Sequence, residues 1–163
     1  MRKLNKNIRP SLDEVFLKIS KVFSERSTCL RRKVGAVIAK NGIMISSGYN
    51  GAPRGCSNCC DNSFCLRDSF KIKSGSNHEL CRGSHAEINA LVQCALNNSS
   101  PEGATLYCTT FPCSYCSKAI INAKIKKIIY LDDYNDELSL ELLKEAGIEV
   151  IKVYYNKLNK LGG

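Results

Sequence analysis

The chain has 163 residues, 44% of them hydrophobic, with ten cysteines and a formal net charge of +9, a length that suits one domain whose core needs no disulfide support. No apolar run approaches the ~20 residues of a membrane span, and the basic MRKLNKNIRP leads into the amphipathic SLDEVFLKISKVF rather than a signal core, so a cytoplasmic protein with free or metal-bound cysteines is expected. The charge suits a phosphorylated ligand or solubility as well as nucleic acid, and with no aromatic-basic stripe beside it a nucleic-acid partner is not the expected reading.

Ser11 and Glu14 form an S-x-x-E capping box, and Val15, Ile19, Val22 and Phe23 follow at helical spacing, which predicts a first helix. VGAVIAKNGIMISSGY reads as two strands folded about Asn41-Gly42, a pair that supplies the positive φ angles of a tight hairpin. Between about residues 50 and 83 periodicity disappears, glycine and serine accumulate, and Cys56, Cys59, Cys60, Cys65, Cys81 and His78 appear. A functional insertion without helix or strand pattern is expected there. Order returns with EINALVQCAL, a helix ended by Asn97-Asn98-Ser99-Ser100-Pro101. ATLYCT then reads as a strand, Pro112 to Ala123 as a helix, KKIIYL as a strand, ELSLELLKEA as a helix stopped by Gly147, and IEVIKVYY as the last strand. The tail NKLNKLGG is expected to be loose. Strands joined by single helices imply right-handed crossovers and a largely parallel sheet. The expected fold is α/β, a three-layer α/β/α sandwich with a mixed five-stranded sheet led by an antiparallel hairpin, in one domain over 1–163.

Two short motifs carry chemistry. Ser84-His85-Ala86-Glu87 opens one helix and Pro112-Cys113-Ser114-Tyr115-Cys116 the next. Each has a plain structural reading: Ser84 and Glu87 match a capping box, and the two thiols match packed core residues or a redox pair. Joined, the motifs are more restrictive. Two crossover helices that follow strands running the same way begin at the same sheet edge, which brings His85, Cys113 and Cys116 together. One imidazole and two thiolates make three zinc ligands and leave the fourth tetrahedral position open for water, as a catalytic site requires. The helix N-termini offer amide donors and the positive end of the dipole to the thiolates, and Pro112 suits the helix start because its missing N–H is not needed there. Glu87, two residues from His85, is not counted as a ligand; it is placed to exchange protons with water at the open position.

H-x-E followed by P-C-x-x-C is a signature known for the zinc nucleoside and nucleotide deaminases. With GYNGAPRG, SNCCDNSFC, HELCRGSHAEINAL, EGATLYCTTFPCSYC and IIYLDDYND, nearly the whole chain resembles the deoxycytidylate deaminase family, including its bacterial competence-operon relatives. The resemblance implies a sheet of the cytidine deaminase type and a hydrolase of pyrimidine nucleotide metabolism that deaminates dCMP to dUMP and ammonia with zinc. It also implies a homo-oligomer, a hexamer. Glu87 would carry protons from water to N3 and to the amino group of cytosine. Asn50 resembles the family's sugar-contacting asparagine, with a turn residue before Gly51 as the plain alternative. Thr110, Phe111 and Pro112, which precede the ligand cysteines, are candidates for the wall against the pyrimidine.

Cys94 and Cys108 fall in a helix and a strand and read as core thiols. Several members of the resembled family hold the insertion with a structural zinc, and the resemblance points to Cys29, Cys59, Cys65 and Cys81 as its ligands, with His78 or Cys60 as substitutes. Free thiols in a loop are the alternative. The resemblance further implies activation by dCTP and inhibition by dTTP, both with Mg2+, at a site separate from the catalytic zinc. Gly48, Asn50, Gly51 and Arg54 of GYNGAPRG are the candidates for that effector site, since glycines expose amides and Arg54 a forked donor to phosphate; a plain turn competes. Two rivals stand beside this reading. One is a related zinc deaminase of cytosine, cytidine, guanine or tRNA adenosine. The other is a zinc-stabilised nucleic-acid-binding module, which explains neither Glu87 nor an open three-ligand site.

Overall fold

A computed structural model describes residues 9–154; the tail NKLNKLGG and the first eight residues lie outside that range. Helix α1, Leu12–Ser24, starts at the expected capping box, with the Ser11 hydroxyl accepting from the Glu14 amide at 3.2 Å and the Glu14 carboxylate accepting from the Ser11 amide at 2.7 Å. Strands β1, Gly35–Lys40, and β2, Ile43–Tyr49, fold about Asn41 and Gly42, whose φ angles of 52° and 76° are those of a hairpin turn matched to strand twist. The insertion contains a short helix α2, Leu66–Ser69, and a 3-10 turn at His78–Leu80. Then follow α3, Ala86–Leu96; β3, Thr105–Thr110; α4, Ser114–Asn122; β4, Lys127–Asp132; α5, Glu137–Glu145; and β5, Glu149–Lys152.

The strand order is β2-β1-β3-β4-β5. Strands β3, β4 and β5 are parallel and β1 is antiparallel to both β2 and β3, so the sheet is mixed, with β1 running against the other four. The reason is that β3 docks on the far side of β1 instead of beside β2. Since β2 and β3 both oppose β1, they run the same way. The helices that follow them, α3 and α4, therefore begin at one edge of the sheet.

Side chains alternate across the sheet. Val37, Ala39, Tyr107, Ile129 and Leu131 face Phe16 and Leu17 of α1. Ala36, Ile38, Leu106, Cys108 and Ile128 face Ala86, Ala90 and Cys94 of α3, Ile120 of α4 and Leu143 of α5. One helix thus covers one face and three cover the other. Helix α3 lies so close on β2 that a Cβ at Gly48 would stand 2.3 Å from the Ala86 carbonyl oxygen. Only glycine fits there, and the contact fixes the height of the α3 N-terminus above the sheet.

The insertion is more ordered than its sequence suggested. Gly51 and Ser84 exchange two backbone hydrogen bonds, 3.1 and 2.8 Å, that close its two ends. The Cys60 amide donates to the Thr28 carbonyl at 3.2 Å. Buried Arg67 donates to the carbonyls of Lys73 and Ser76, and Arg31 to that of Ile72. Guanidinium-to-carbonyl bonds of this kind leave no apolar period to read. Among the described residues no helix is long and apolar enough to cross a membrane.

Candidate active site

His85 is the N-cap of α3, Cys113 is the N-cap of α4, and Cys116 lies in the first turn of α4. Their meeting follows from the common edge at which the two helices begin. Nδ1 of His85 is 3.2 Å from the Cys116 sulfur and 3.4 Å from the Cys113 sulfur. Since His85 rather than Ser84 is the N-cap and no side chain caps α3, the capping-box reading of Ser84 and Glu87 is overturned. Glu87 instead turns inward, 4% exposed, and its carboxylate lies within 4.8 Å of the ligand atoms of His85 and Cys116. Pro112 stands before the N-cap rather than inside the helix.

The electrostatics suit a metal. A hydrogen bond from Cys116 holds the Cys113 thiol well below the usual value, with His85 adding to the effect against the opposing influence of burial. Cys116 is pushed well up, first by its bond to Cys113 and then by burial. The bond to Cys113 raises His85, while burial raises Glu87. The metal-free cluster therefore tends to a thiolate–imidazolium pair with a second, protonated thiol. One imidazole nitrogen and two sulfurs converging at these distances are the donor set of a tetrahedral zinc with an open position, so the residues fit the ion.

A cavity of about 300 Å³ opens onto this cluster, a size at the small end for ligand sites. Asn50, Gly51, Thr110 and Phe111 line it, whereas Pro112, Gly48 and Arg54 do not. Pro112 is fully buried, and its carbonyl accepts from the Ser139 hydroxyl at 2.7 Å. Asn50 is largely committed to structure: its Oδ1 accepts from the Ser27 hydroxyl and the Val34 amide, and its Nδ2 donates to the Arg32 carbonyl. One N–H of that amide remains. The Gly51 amide is engaged with Ser84, and Gly48 is packed under α3. Arg54 is exposed and reaches Gln93 of α3 at 3.4 Å.

The sequence reading missed the cationic wall. Arg31, Arg32, Arg67 and Arg82 line the cavity, with Glu87 as the one carboxylate among the described lining residues. Arg31 Nη1, Arg67 Nε and His78 Nδ1 are buried without a hydrogen-bond partner among the described residues. Tyr134, also unforeseen, contacts His78 Nε2 through its hydroxyl at 3.3 Å and carries the Arg32 guanidinium 5.5 Å from its ring centre. The adjacent pair Arg31-Arg32 before β1 was the available signal, but distance along the chain from both motifs hid it.

Cys29, Cys59, Cys65 and Cys81 also line the cavity. The Cys59 thiol is raised first by burial and then by Cys65, Cys29 and Cys81, so the four are gathered, although not to the 4.8 Å spacing of the catalytic groups. The two substitutes are elsewhere. Cys60 is exposed against Asp61, and the His78 ring lies 5.2 Å from that of His85. All ten cysteines are free.

Comparison with known proteins agrees with this geometry. Residues 10–132 match the family model described as the cytidine and deoxycytidylate deaminase zinc-binding region. The chain is 38% identical over 180 residues to deoxycytidylate deaminase of Enterobacteria phage T4, covering 89% of this chain and 91% of that one. It is 37% identical to deoxycytidylate deaminase of Schizosaccharomyces pombe over 90% of its own length, but spans only 46% of that longer protein. Among solved structures, dCMP deaminase from the cyanophage S-TIM5 in complex with dCMP and dUMP superposes with a TM-score of 0.74 at 35% identity, over 90% of this chain and 99% of that one.

Proposed function

The chain belongs to the cytidine and deoxycytidylate deaminase family, and from that premise we propose that it catalyses the hydrolytic deamination of dCMP to dUMP and ammonia. The observation that carries the reading is the convergence of His85, Cys113 and Cys116 beside a buried Glu87. His85, Cys113 and Cys116 hold the zinc, which when bound supplies the Lewis acidity that makes water a nucleophile at neutral pH.

Glu87 takes a proton from the attacking water and passes it to N3 of cytosine while the water oxygen bonds to C4. It then takes the remaining proton from the hydroxyl now on C4 and delivers it to the amino nitrogen; as the C4=O bond forms, the C4–N4 bond breaks with its electron pair on nitrogen, and ammonia leaves. A carboxyl raised by burial is suited to return protons as well as to take them. Phe111, braced edge-to-face by Tyr130 with ring centres 5.1 Å apart, forms the apolar wall for the pyrimidine together with Thr110. The remaining Asn50 N–H serves the sugar. Four arginines and unmet buried donors favour a nucleotide over a nucleoside, because a phosphomonoester would satisfy them.

This reading takes residues 1–163 as one cytoplasmic deaminase domain with a cysteine-rich insertion at about 50–83. A second, structural zinc on Cys29, Cys59, Cys65 and Cys81 is supported by their all lining the cavity and by the influence of the other three on the Cys59 thiol. The resemblance to the deoxycytidylate deaminases supports a homohexamer with dCTP and dTTP as Mg2+-dependent effectors; of the candidate contacts Gly48, Asn50, Gly51 and Arg54, the Gly51 amide is already engaged with Ser84.

The experiment is ammonia release by zinc-loaded protein from dCMP, dCTP, deoxycytidine and tRNA, with dCMP expected to be turned over most efficiently. Preference for the nucleoside or for tRNA would replace the dCMP reading. Adding dCTP or dTTP with Mg2+ to the dCMP reaction tests regulation, and unchanged kinetics with no triphosphate binding would remove it.

A further inference from the structure

The loop that carries Cys113 and Cys116 is fastened from outside the cavity by the start of α5. One carboxylate spans two helix N-termini: Asp136 Oδ2 accepts from the Ser114 amide of α4 at 2.8 Å, and Oδ1 accepts from the Ser139 amide of α5 at 2.9 Å. The Ser139 hydroxyl donates to the Pro112 carbonyl at 2.7 Å and lies 2.7 Å from the Ser117 hydroxyl. Ser117 and Ser139 are fully buried. Pro112, Ser114 and Ser117 flank or separate the two cysteines, so α5 holds the loop before, between and after its thiols.

We propose that Asp136 is a positioning residue for the catalytic metal, acting through the Ser114 amide to hold Cys113 and Cys116 in ligand geometry. The Ser114 amide is one of the donors that a helix start leaves without an intrahelical acceptor. A carboxylate there satisfies it and is favoured by the positive end of the α4 dipole. Capping α5 alone does not need a carboxylate, since Asn or Ser caps a helix about as well as Asp. The second oxygen, aimed at α4, is what the cap does not explain. Asp136 does not line the cavity, so its effect reaches the chemistry through the cysteines and not through substrate. Partners of this outer kind commonly change metal affinity by about 10–100-fold when lost.

The inference rests on the reading of Cys113 and Cys116 as zinc ligands, and Asp136→Asn separates it from simple capping. Asparagine keeps an oxygen for the Ser139 amide but turns an NH2 group toward the Ser114 amide, setting donor against donor. Zinc-loaded D136N is expected to melt near the parent temperature, to transfer catalytic zinc to a chromogenic chelator about 10–100-fold faster, and to lose kcat with little change in KM for dCMP. Asp136→Ala should release zinc as readily and also melt lower, having lost both bonds. If D136N melts like the parent and gives up zinc at the parent rate, the proposal is overturned. Should D136N not fold, Asp136→Ser keeps a cap for α5 but leaves the Ser114 amide without its acceptor; parent-rate zinc release in D136S would then overturn the proposal. Failure of the underlying reading looks different, because the parent itself would then hold no zinc on this pair.

Discussion

Nδ1 of His85 lies 3.2 Å from Sγ of Cys116 although 31 positions of sequence separate them. That approach brings the start of α3 against the start of α4, and with Cys113 it leaves Glu87 facing the same point. The consequences for metal, proton transfer and packing can each be measured.

Replacing Glu87 with glutamine removes the proton carrier without removing a ligand. We expect the parental zinc content and circular dichroism, with kcat lower by ~10²–10⁴-fold or more, since the same group serves several proton transfers. Activity near that of the parent would rule out this role for Glu87.

Cys116→Ala should lose the catalytic zinc and with it all measurable deamination. Metal analysis of purified protein decides the matter: unchanged zinc in the variant would mean that the ligand set is wrong.

Zinc affinity should rise with pH. In the metal-free cluster His85 is raised by its bond to Cys113, and Cys116 is raised well above the usual thiol value. Both protons must leave when the site fills, so loading at pH 6 is expected to release roughly two protons per catalytic zinc, and acidification should weaken binding. Calorimetry in buffers of different ionisation enthalpy counts those protons. Zinc uptake without proton release would contradict the assigned charge states.

Two zinc ions per chain are expected, and Cys65→Ala should bind one. Structural zinc can contribute ~10 kcal/mol or more of apparent binding energy, so this variant should misfold around residues 50–83 and be cut there first by protease. A folded C65A with both ions would remove Cys65 from the second site.

Gly48→Ala places a methyl group 2.3 Å from the Ala86 carbonyl oxygen and 2.6 Å from the Ala90 amide nitrogen. Overpacking of this kind costs about 1–3 kcal/mol or more, and relief requires α3 to lift from β2, carrying His85 and Glu87 with it. A lower melting temperature and reduced kcat are expected together. An alanine variant with parental stability would show that α3 can shift freely.

Several local devices were legible without tertiary information. The Ser11–Glu14 box starts α1, Asn41-Gly42 turns the hairpin, and Gly147 with φ of 69° follows α5. Each depends on residues within one turn of one another, where short-range sterics and hydrogen bonds dominate. The place of β3 was less visible. A β1 buried up to its last residue, Lys40, beside a half-exposed β2 marks β1 as internal, and the serines of IMISSGY were the available hint.

The sequence by itself determined the types and spacings of the chemistry-bearing residues: His85 and Glu87 opening one helix, and Cys113 and Cys116 opening the next. Through its resemblance it also pointed to the proposed reaction. Only the tertiary structure decided that Glu87 turns inward instead of capping α3, that Asn50 ties the Ser27 hydroxyl to the backbone of Arg32 and Val34, and that Arg31, Arg32, Arg67 and Arg82 line one cavity. It alone brought Asp136 to the Ser114 amide. The physical reason is the range of the interactions. Caps and periodicity are set by neighbours in sequence, whereas the burial of a carboxylate or the pairing of an amide depends on which distant segment the closed sheet places beside it.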